Sequence, residues 1–163
     1  MRRIFIALVA LAVAGLIAFE ALTSGSGQIG KPAPPLPPAV LNPPRVRVEE
    51  LRGKPAVITF WASWCDPCRK EAPEIERFSR SMRGAAAVVG VDYTDSEGSA
   101  RSFLRRYGWT FPVLSDPNGT YGDRYGLVGL PTTVVLDAGG RIVETLRGPQ
   151  TESSLRTALG AAS

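Results

Sequence analysis

The sequence predicts an α/β fold, a central mixed sheet flanked by helices, with an N-terminal membrane anchor ahead of it. Three observations carry that expectation. Short β-branched and aromatic runs alternate along the chain with segments, such as residues 97–107, whose apolar positions recur at helical spacing. The two cysteines, Cys65 and Cys68, fall where one such run hands over to a helical pattern. The chain opens on Met1-Arg2-Arg3 and then carries only apolar residues and glycine from Ile4 to Phe19.

As a helix, residues 4–22 would span about 28 Å against a hydrocarbon core of about 30 Å. Arg2 and Arg3 would keep the N-terminus in the cytoplasm, leaving the remainder outside it. No clean A-x-A site ends the stretch, so residues 1–22 are expected to be an uncleaved signal-anchor. Cleavage near Gly25, giving a secreted form, is the alternative. Residues 23–44 are a linker and lead-in: Thr23 to Gly27 is a flexible spacer, and seven of the 14 prolines lie between Lys31 and Pro44. That density enforces an extended, partly polyproline-like chain that cannot form a helix.

Residues 45–163 form the folded domain. Arg45-Val46-Arg47-Val48 alternates and is expected as a short edge strand. Ala56 to Trp61, bounded by Gly53-Lys54-Pro55, is a buried strand. Ile75, Phe78 and Met82 then recur at helical spacing, which puts Cys65 at a helix N-terminus. Ala85 to Val91 is a central strand. Ala100, Phe103, Leu104 and Tyr107 share one helical face, predicting a helix over Glu97–Tyr107. Asp116-Pro117-Asn118-Gly119 is a turn. Thr132 to Leu136 and Arg141 to Leu146 make a hairpin through Asp137–Gly140. Glu152 to Leu159 closes the chain as a helix with Thr151 as N-cap.

Composition removes several functions. The chain has 19 Lys and Arg against 15 Asp and Glu, a scattered surplus of +4. Its densest basic group, Arg101, Arg105 and Arg106, falls on a helix as a solvated face, so nucleic-acid binding has no support. Two cysteines and no histidine cannot supply the four ligands of structural zinc. A purely structural Cys65–Cys68 disulfide would close a loop worth only about 2 kcal/mol. A Cu(I)-binding module for cytochrome oxidase assembly stays open as the alternative, because paired soft thiolates select that ion.

The spacing itself points to thiol–disulfide exchange. At a helix start the free N–H groups and the dipole favour a Cys65 thiolate, and Cys68 stands ready to resolve a mixed disulfide. Pro67 suits the first turn. Asp66 opposes the thiolate and leans the pair modestly toward reductant. Glu71, one turn after Cys68, can bring a carboxylate to the sulfurs, or else is an exposed first-turn acid. Trp61 suits the core and Trp64 the substrate surface. No cofactor is expected.

Trp61-Ala62-Ser63-Trp64-Cys65-Asp66-Pro67-Cys68-Arg69-Lys70-Glu71-Ala72-Pro73 resembles the active site of the thioredoxin-like TlpA/ResA/CcmG (DsbE) family. The likeness runs from about Ile29 to Leu159. It takes in Gly30-Lys31-Pro32-Ala33-Pro34, Gly90-Val91-Asp92-Tyr93, Phe111-Pro112-Val113 and Gly129-Leu130-Pro131-Thr132-Thr133. It implies a thioredoxin-like fold with a helix-plus-strand insertion near residues 94–126 and a lead-in that packs on the domain. It implies a redox-active Cys65–Cys68 disulfide, catalytic Cys65, Cys68 and Glu71, and a kink at Pro73. It implies that Pro131 is a cis-proline facing the sulfurs, with Leu130 presenting its backbone to an extended substrate beside Trp64. Thr59 stands where thioredoxin has a buried aspartate, which passes that acid role to Glu71.

The function implied is a membrane-anchored extracytoplasmic reductase of protein disulfides. The resemblance implies oxidised protein thiols as substrate, with apocytochrome c in cytochrome c maturation the favoured one, and a DsbD/CcdA-type membrane protein as electron donor. Thr132, where CcmG proteins carry glutamate, departs from that subfamily. A general disulfide oxidoreductase or isomerase is the enzyme alternative. A peroxidase is disfavoured by the absence of Pro-x-x-x-Thr-x-x-Cys.

Overall fold

The computed structural model describes residues 28–162. The expected anchor, residues 1–22, lies outside the described residues, among which no helix is long and apolar enough to cross a membrane.

Among the described residues six strands form one sheet in the order β1-β4-β3-β2-β5-β6. Its middle is β2, Ala56–Trp61, in which every residue is buried. A strand covered on both faces reads as a continuous apolar run, which is what the sequence shows there. β2 runs parallel to β3, Ala87–Tyr93, and antiparallel to β5, Thr132–Leu136. β4, Val113–Asp116, continues the parallel half, and β6, Ile142–Arg147, pairs antiparallel with β5.

The pleat sends Val57 and Trp61 to one face and Ala56, Ile58 and Phe60 to the other. On the Trp61 face lie α1, Asp66–Ser81, α2, Glu97–Tyr107, and α4, Glu152–Gly160. Trp61 stacks on Phe103 at 4.3 Å and meets Trp109 edge-on at 5.0 Å, a core role as expected. The opposite face is covered by Leu36 of the lead-in, by Leu51 before β2, and by Tyr125, which follows the short helix α3, Thr120–Arg124. The Tyr125 hydroxyl donates to the Pro34 carbonyl at 2.6 Å. Helix ends follow their residues: Ser96 caps α2, Gly108 closes it at φ +64°, and Thr151 with Ser154 boxes the start of α4.

Two expectations move. The edge strand is β1, Ala39–Asn42, antiparallel to β4, and not Arg45–Val48. Pro43 and Pro44 cannot donate to a ladder, and beyond them the reciprocal Arg47–Glu50 contacts close a 3-10 turn over Val48–Leu51. The strand expected from Ala85 starts at Ala87, because the Ala85 and Ala86 amides donate to the Met82 carbonyl at the end of α1. The implied helix-plus-strand insertion is α2 and β4. The further helix α3 was not foreseen; Asp116 starts it by accepting from the Tyr121 and Gly122 amides at 3.0 and 2.8 Å.

Glu76 ties α1 to the chain after α2. Buried, it accepts from the Thr110 amide at 3.0 Å and the Thr110 hydroxyl at 2.9 Å, and it pairs with Arg80. Glu76→Ala removes the acceptor that joins α1 to Thr110 and is expected to cost about 1–3 kcal/mol in denaturant unfolding.

Candidate active site

β2 ends in a tight turn, Ala62–Cys65, closed by the Cys65 amide donating to the Ala62 carbonyl at 3.2 Å. Cys65 is the N-cap of α1, and its Sγ accepts the Cys68 amide at 3.2 Å. Cys65 and Cys68 are joined as a disulfide, with Pro67 in the first helical turn. The sulfurs differ in access: Cys65 borders a groove, whereas Cys68, 1% exposed, is enclosed behind it. An incoming nucleophile or disulfide therefore reaches Cys65 alone.

Asp66 does not act on that sulfur as an isolated charge. Its exposed carboxylate is ion-paired with Arg69, whose guanidinium also donates to the Ser63 carbonyl. The guanidinium offsets the repulsion assigned to Asp66 from sequence.

The groove, about 570 Å³, is lined by Trp64, Cys65, Tyr93, Leu127, Val128 and Leu130, among others. Trp64 is 56% exposed and Val128 76%, so an apolar rim stands on both sides of the sulfur. The Trp64 indole N–H donates to the Thr94 carbonyl at 3.2 Å, holding the ring at that rim. Leu130 packs partly buried against the cluster that contains both cysteines, and the Leu130–Pro131 peptide is cis. Among the described residues no hydrogen bond engages the Leu130 main chain. Pro131 itself borders the neighbouring hollow, with Val128 and Arg147, and its carbonyl accepts from the Gly148 amide at 2.9 Å.

Glu71 is 2% exposed, on the same buried face of α1 as Cys68, which removes the exposed-acid alternative. One carboxylate oxygen accepts the Gln150 amide at 2.9 Å and the other has no partner among the described residues. Burial raises its pKa to about 7, against the downward pull of the Gln150 N–H. Thr59 and Thr133, directly paired across β2 and β5, are also buried with unpartnered hydroxyls.

A second buried carboxyl escaped the sequence reasoning. Asp92, on β3, is 0% exposed and neither oxygen has a donor among the described residues. Burial first, then Asp95 and Asp116, push its pKa up to about 8. The signal available was an acid directly after the apolar run Ala85 to Val91, which the Gly90-Val91-Asp92-Tyr93 resemblance includes without giving it a role; β3 extends to Tyr93 and takes it into the sheet.

Glu71 carries a pH signature. Because its folded pKa is raised, its contribution to stability is complete below about pH 4.5 and is lost as pH rises through about 7. Glu71→Gln removes that loss. Denaturant unfolding of the oxidised proteins is expected to match near pH 4.5 and to favour the variant by about 1–3 kcal/mol at pH 8.

Comparison with known proteins agrees with this geometry. The AhpC/TSA family model matches residues 29–145. The chain is 30% identical to the thiol-disulfide oxidoreductase ResA of Bacillus subtilis, over 94% of this chain and 90% of that protein. It is 38% identical to the thiol:disulfide interchange protein DsbE homolog of Paracoccus denitrificans, over 76% and 69% respectively. A secreted Mycobacterium tuberculosis disulfide oxidoreductase homologous to E. coli DsbE superposes with a TM-score of 0.70. It is 26% identical, with 77% of this chain and 95% of that one covered. A sulfur-bearing turn at the end of a central strand, in a sheet of this order and with these relatives, identifies the chain as a member of the AhpC/TSA family and a thioredoxin-like thiol–disulfide oxidoreductase of the ResA and DsbE type.

Proposed function

We propose that this oxidoreductase is a membrane-anchored reductase of protein disulfides outside the cytoplasm. Its substrate is the CxxCH segment of apocytochrome c before haem attachment, and its donor is a DsbD/CcdA-type membrane protein. The observation that carries the proposal is the single reachable sulfur, Cys65, set in an apolar groove opposite the unengaged Leu130 main chain. An extended cysteine-containing segment can pair there as an added strand and meet Trp64 on one side. The names of the relatives support the exchange chemistry, and the reducing direction rests on the resemblance to the CcmG group.

In the reduced enzyme the Cys68 amide and the start of α1 face the Cys65 sulfur and favour its thiolate. That thiolate attacks one sulfur of the substrate disulfide, and the other leaves as a thiolate that takes up a proton. Cys68, once deprotonated, attacks Cys65 Sγ. The Cys65–Cys68 disulfide forms, the second substrate thiol is released, and two electrons have passed to the substrate. Glu71, with a pKa of about 7 on the same helical face as Cys68, is suited to accept the Cys68 proton.

Cys68→Ser tests the proposal. It keeps the attacking sulfur and removes the resolving one, so a covalent complex with the substrate is expected to accumulate, reversible by dithiothreitol and absent in Cys65→Ser. Apocytochrome c in the complex supports the maturation role, whereas a broad set of trapped proteins points to a general oxidoreductase. No complex, with tight Cu(I) binding by the reduced wild type, transfers the assignment to the copper module. For localisation, the full chain is expected to stay in the membrane fraction through alkaline carbonate washing, with the domain open to external protease. A soluble mature form starting near Ser26 would replace the anchor with a cleaved signal.

A further inference from the structure

Asp92 stands where β3 runs out beside the active-site turn. It is in register with Trp61 on β2 and Ser115 on β4, on the sheet face that carries Trp61 and the cysteines. Nothing in that environment can hold a carboxylate there. The side chain is fully buried, among the described residues no N–H or O–H points at either oxygen, and the charged groups acting on it there are the acids Asp95, from the following loop, and Asp116, from β4. An ionised carboxylate with no donor and two acidic neighbours is costly, so the group is neutral in the folded protein.

A neutral carboxyl carries a proton that needs an acceptor. Asp95, three residues further along the chain, is the acid that raises the Asp92 pKa most after burial, through its charge and its side chain. Asp116 is already engaged, accepting from the Tyr121 and Gly122 amides. Asp95 is also the residue that grips the active-site turn. One of its oxygens accepts the Ser63 amide at 2.6 Å, and the other accepts the Ser96 amide at 2.7 Å, at the start of α2. Ser63 occupies the second position of the Ala62–Cys65 turn. The rest of the turn is held by Arg69 on the Ser63 carbonyl and by the Thr94 carbonyl on the Trp64 indole. Thr94 sits between the two acids at φ +51°.

We infer that Asp92 is a positioning residue for the active-site turn: its protonated carboxyl shares its proton with Asp95, and so fixes the carboxylate that holds the Ser63 amide and, through it, Trp64 at the rim of the groove. The proton keeps two acids compatible at one point. When it is lost to solvent at alkaline pH, two like charges face each other in a buried site, and Asp95 relieves them by turning away from Asp92. The Ser63 amide then loses its acceptor. Glu71 approaches from α1, where the proposed function gives it a proton of the reaction, whereas Asp92 acts from the β3 side and manages geometry. The inference rests on exchange at Cys65 and is independent of which disulfide is the substrate or in which direction electrons flow.

The test uses the oxidised full-length chain in detergent micelles, in which neither cysteine titrates. In nitrogen-15 NMR the Ser63 amide and Trp64 indole resonances are expected to follow one titration centred near pH 8. Asp92→Asn keeps a donor toward Asp95 but cannot ionise, so it abolishes that titration and leaves the Ser63 resonance near its neutral-pH position. Glu71→Gln retains the titration, which separates the two carboxyls. In turnover with a synthetic peptide closed by a Cys-x-x-Cys disulfide, Asp92→Leu raises KM by about 5–10-fold with kcat changed less than about twofold, and Asp92→Asn restores KM. A Ser63 resonance that does not titrate in the wild type overturns the inference. So does the same titration persisting in Asp92→Asn, or a wild-type Ser63 resonance and KM in a folded Asp92→Leu.

Discussion

A sulfur atom does the work at the start of α1 that a hydroxyl or carboxylate usually does. Cys65 Sγ accepts the Cys68 amide as an N-cap side chain would, and the same N–H is available to a thiolate once the disulfide is reduced. Helix start and reactive group are therefore one feature, and much of the rest of the fold keeps it in position. β2 is buried end to end, so its exit point is located by packing on both faces. The turn that follows is gripped from α1 by Arg69 and from the β3 side by Asp95 and Thr94. Neither grip touches a sulfur, which leaves Cys65 Sγ free to change partners while its backbone stays fixed.

Two buried carboxyls flank this arrangement and weaken the protein at neutral pH. Glu71 and Asp92 both have raised pKa values, so ionisation in the unfolded chain draws stability away between roughly pH 4 and 8. Each pKa unit corresponds to about 1.4 kcal/mol, which is large against a typical folding free energy of about 5–15 kcal/mol. Apolar residues would fill both sites more favourably for the fold alone. Their presence in the core cluster face that holds the disulfide fits the expectation that local rules of sequence and burial are broken where chemistry requires it.

Features set by periodicity were legible in the sequence, and features set by partners far along the chain were not. The helix over Glu97–Tyr107 and the Thr151 cap follow from contacts within one segment, and both stand where expected. Arg45–Val48 has a strand's alternation, but the two prolines before it and the Arg47–Glu50 pair after it decide its path. Cys65 and Cys68 announce themselves by spacing. Asp92 does not, because its environment is assembled from β2, β4 and the loop after β3. Arg69 reads as an ordinary exposed helix residue until the fold shows it bridging Asp66 and Ser63.

The two walls of the groove are held by different means, and that difference bears on how substrate choice can vary. The Trp64 wall belongs to the turn that carries Cys65, so altering it risks altering the sulfur. The opposite wall, Leu127 to Leu130, follows α3 and is located by local bonds: the Leu127 amide donates to the Gly122 carbonyl, and Asp116 accepts the amides that begin the helix. Gly122 allows this closeness, since a Cβ there would lie 2.5 Å from the Tyr93 ring, itself part of the groove lining. Val128, three-quarters exposed on that wall, contributes little to the core. Substitution at Val128 can therefore change what the groove accepts while leaving the disulfide, its cap and the buried acids as they are.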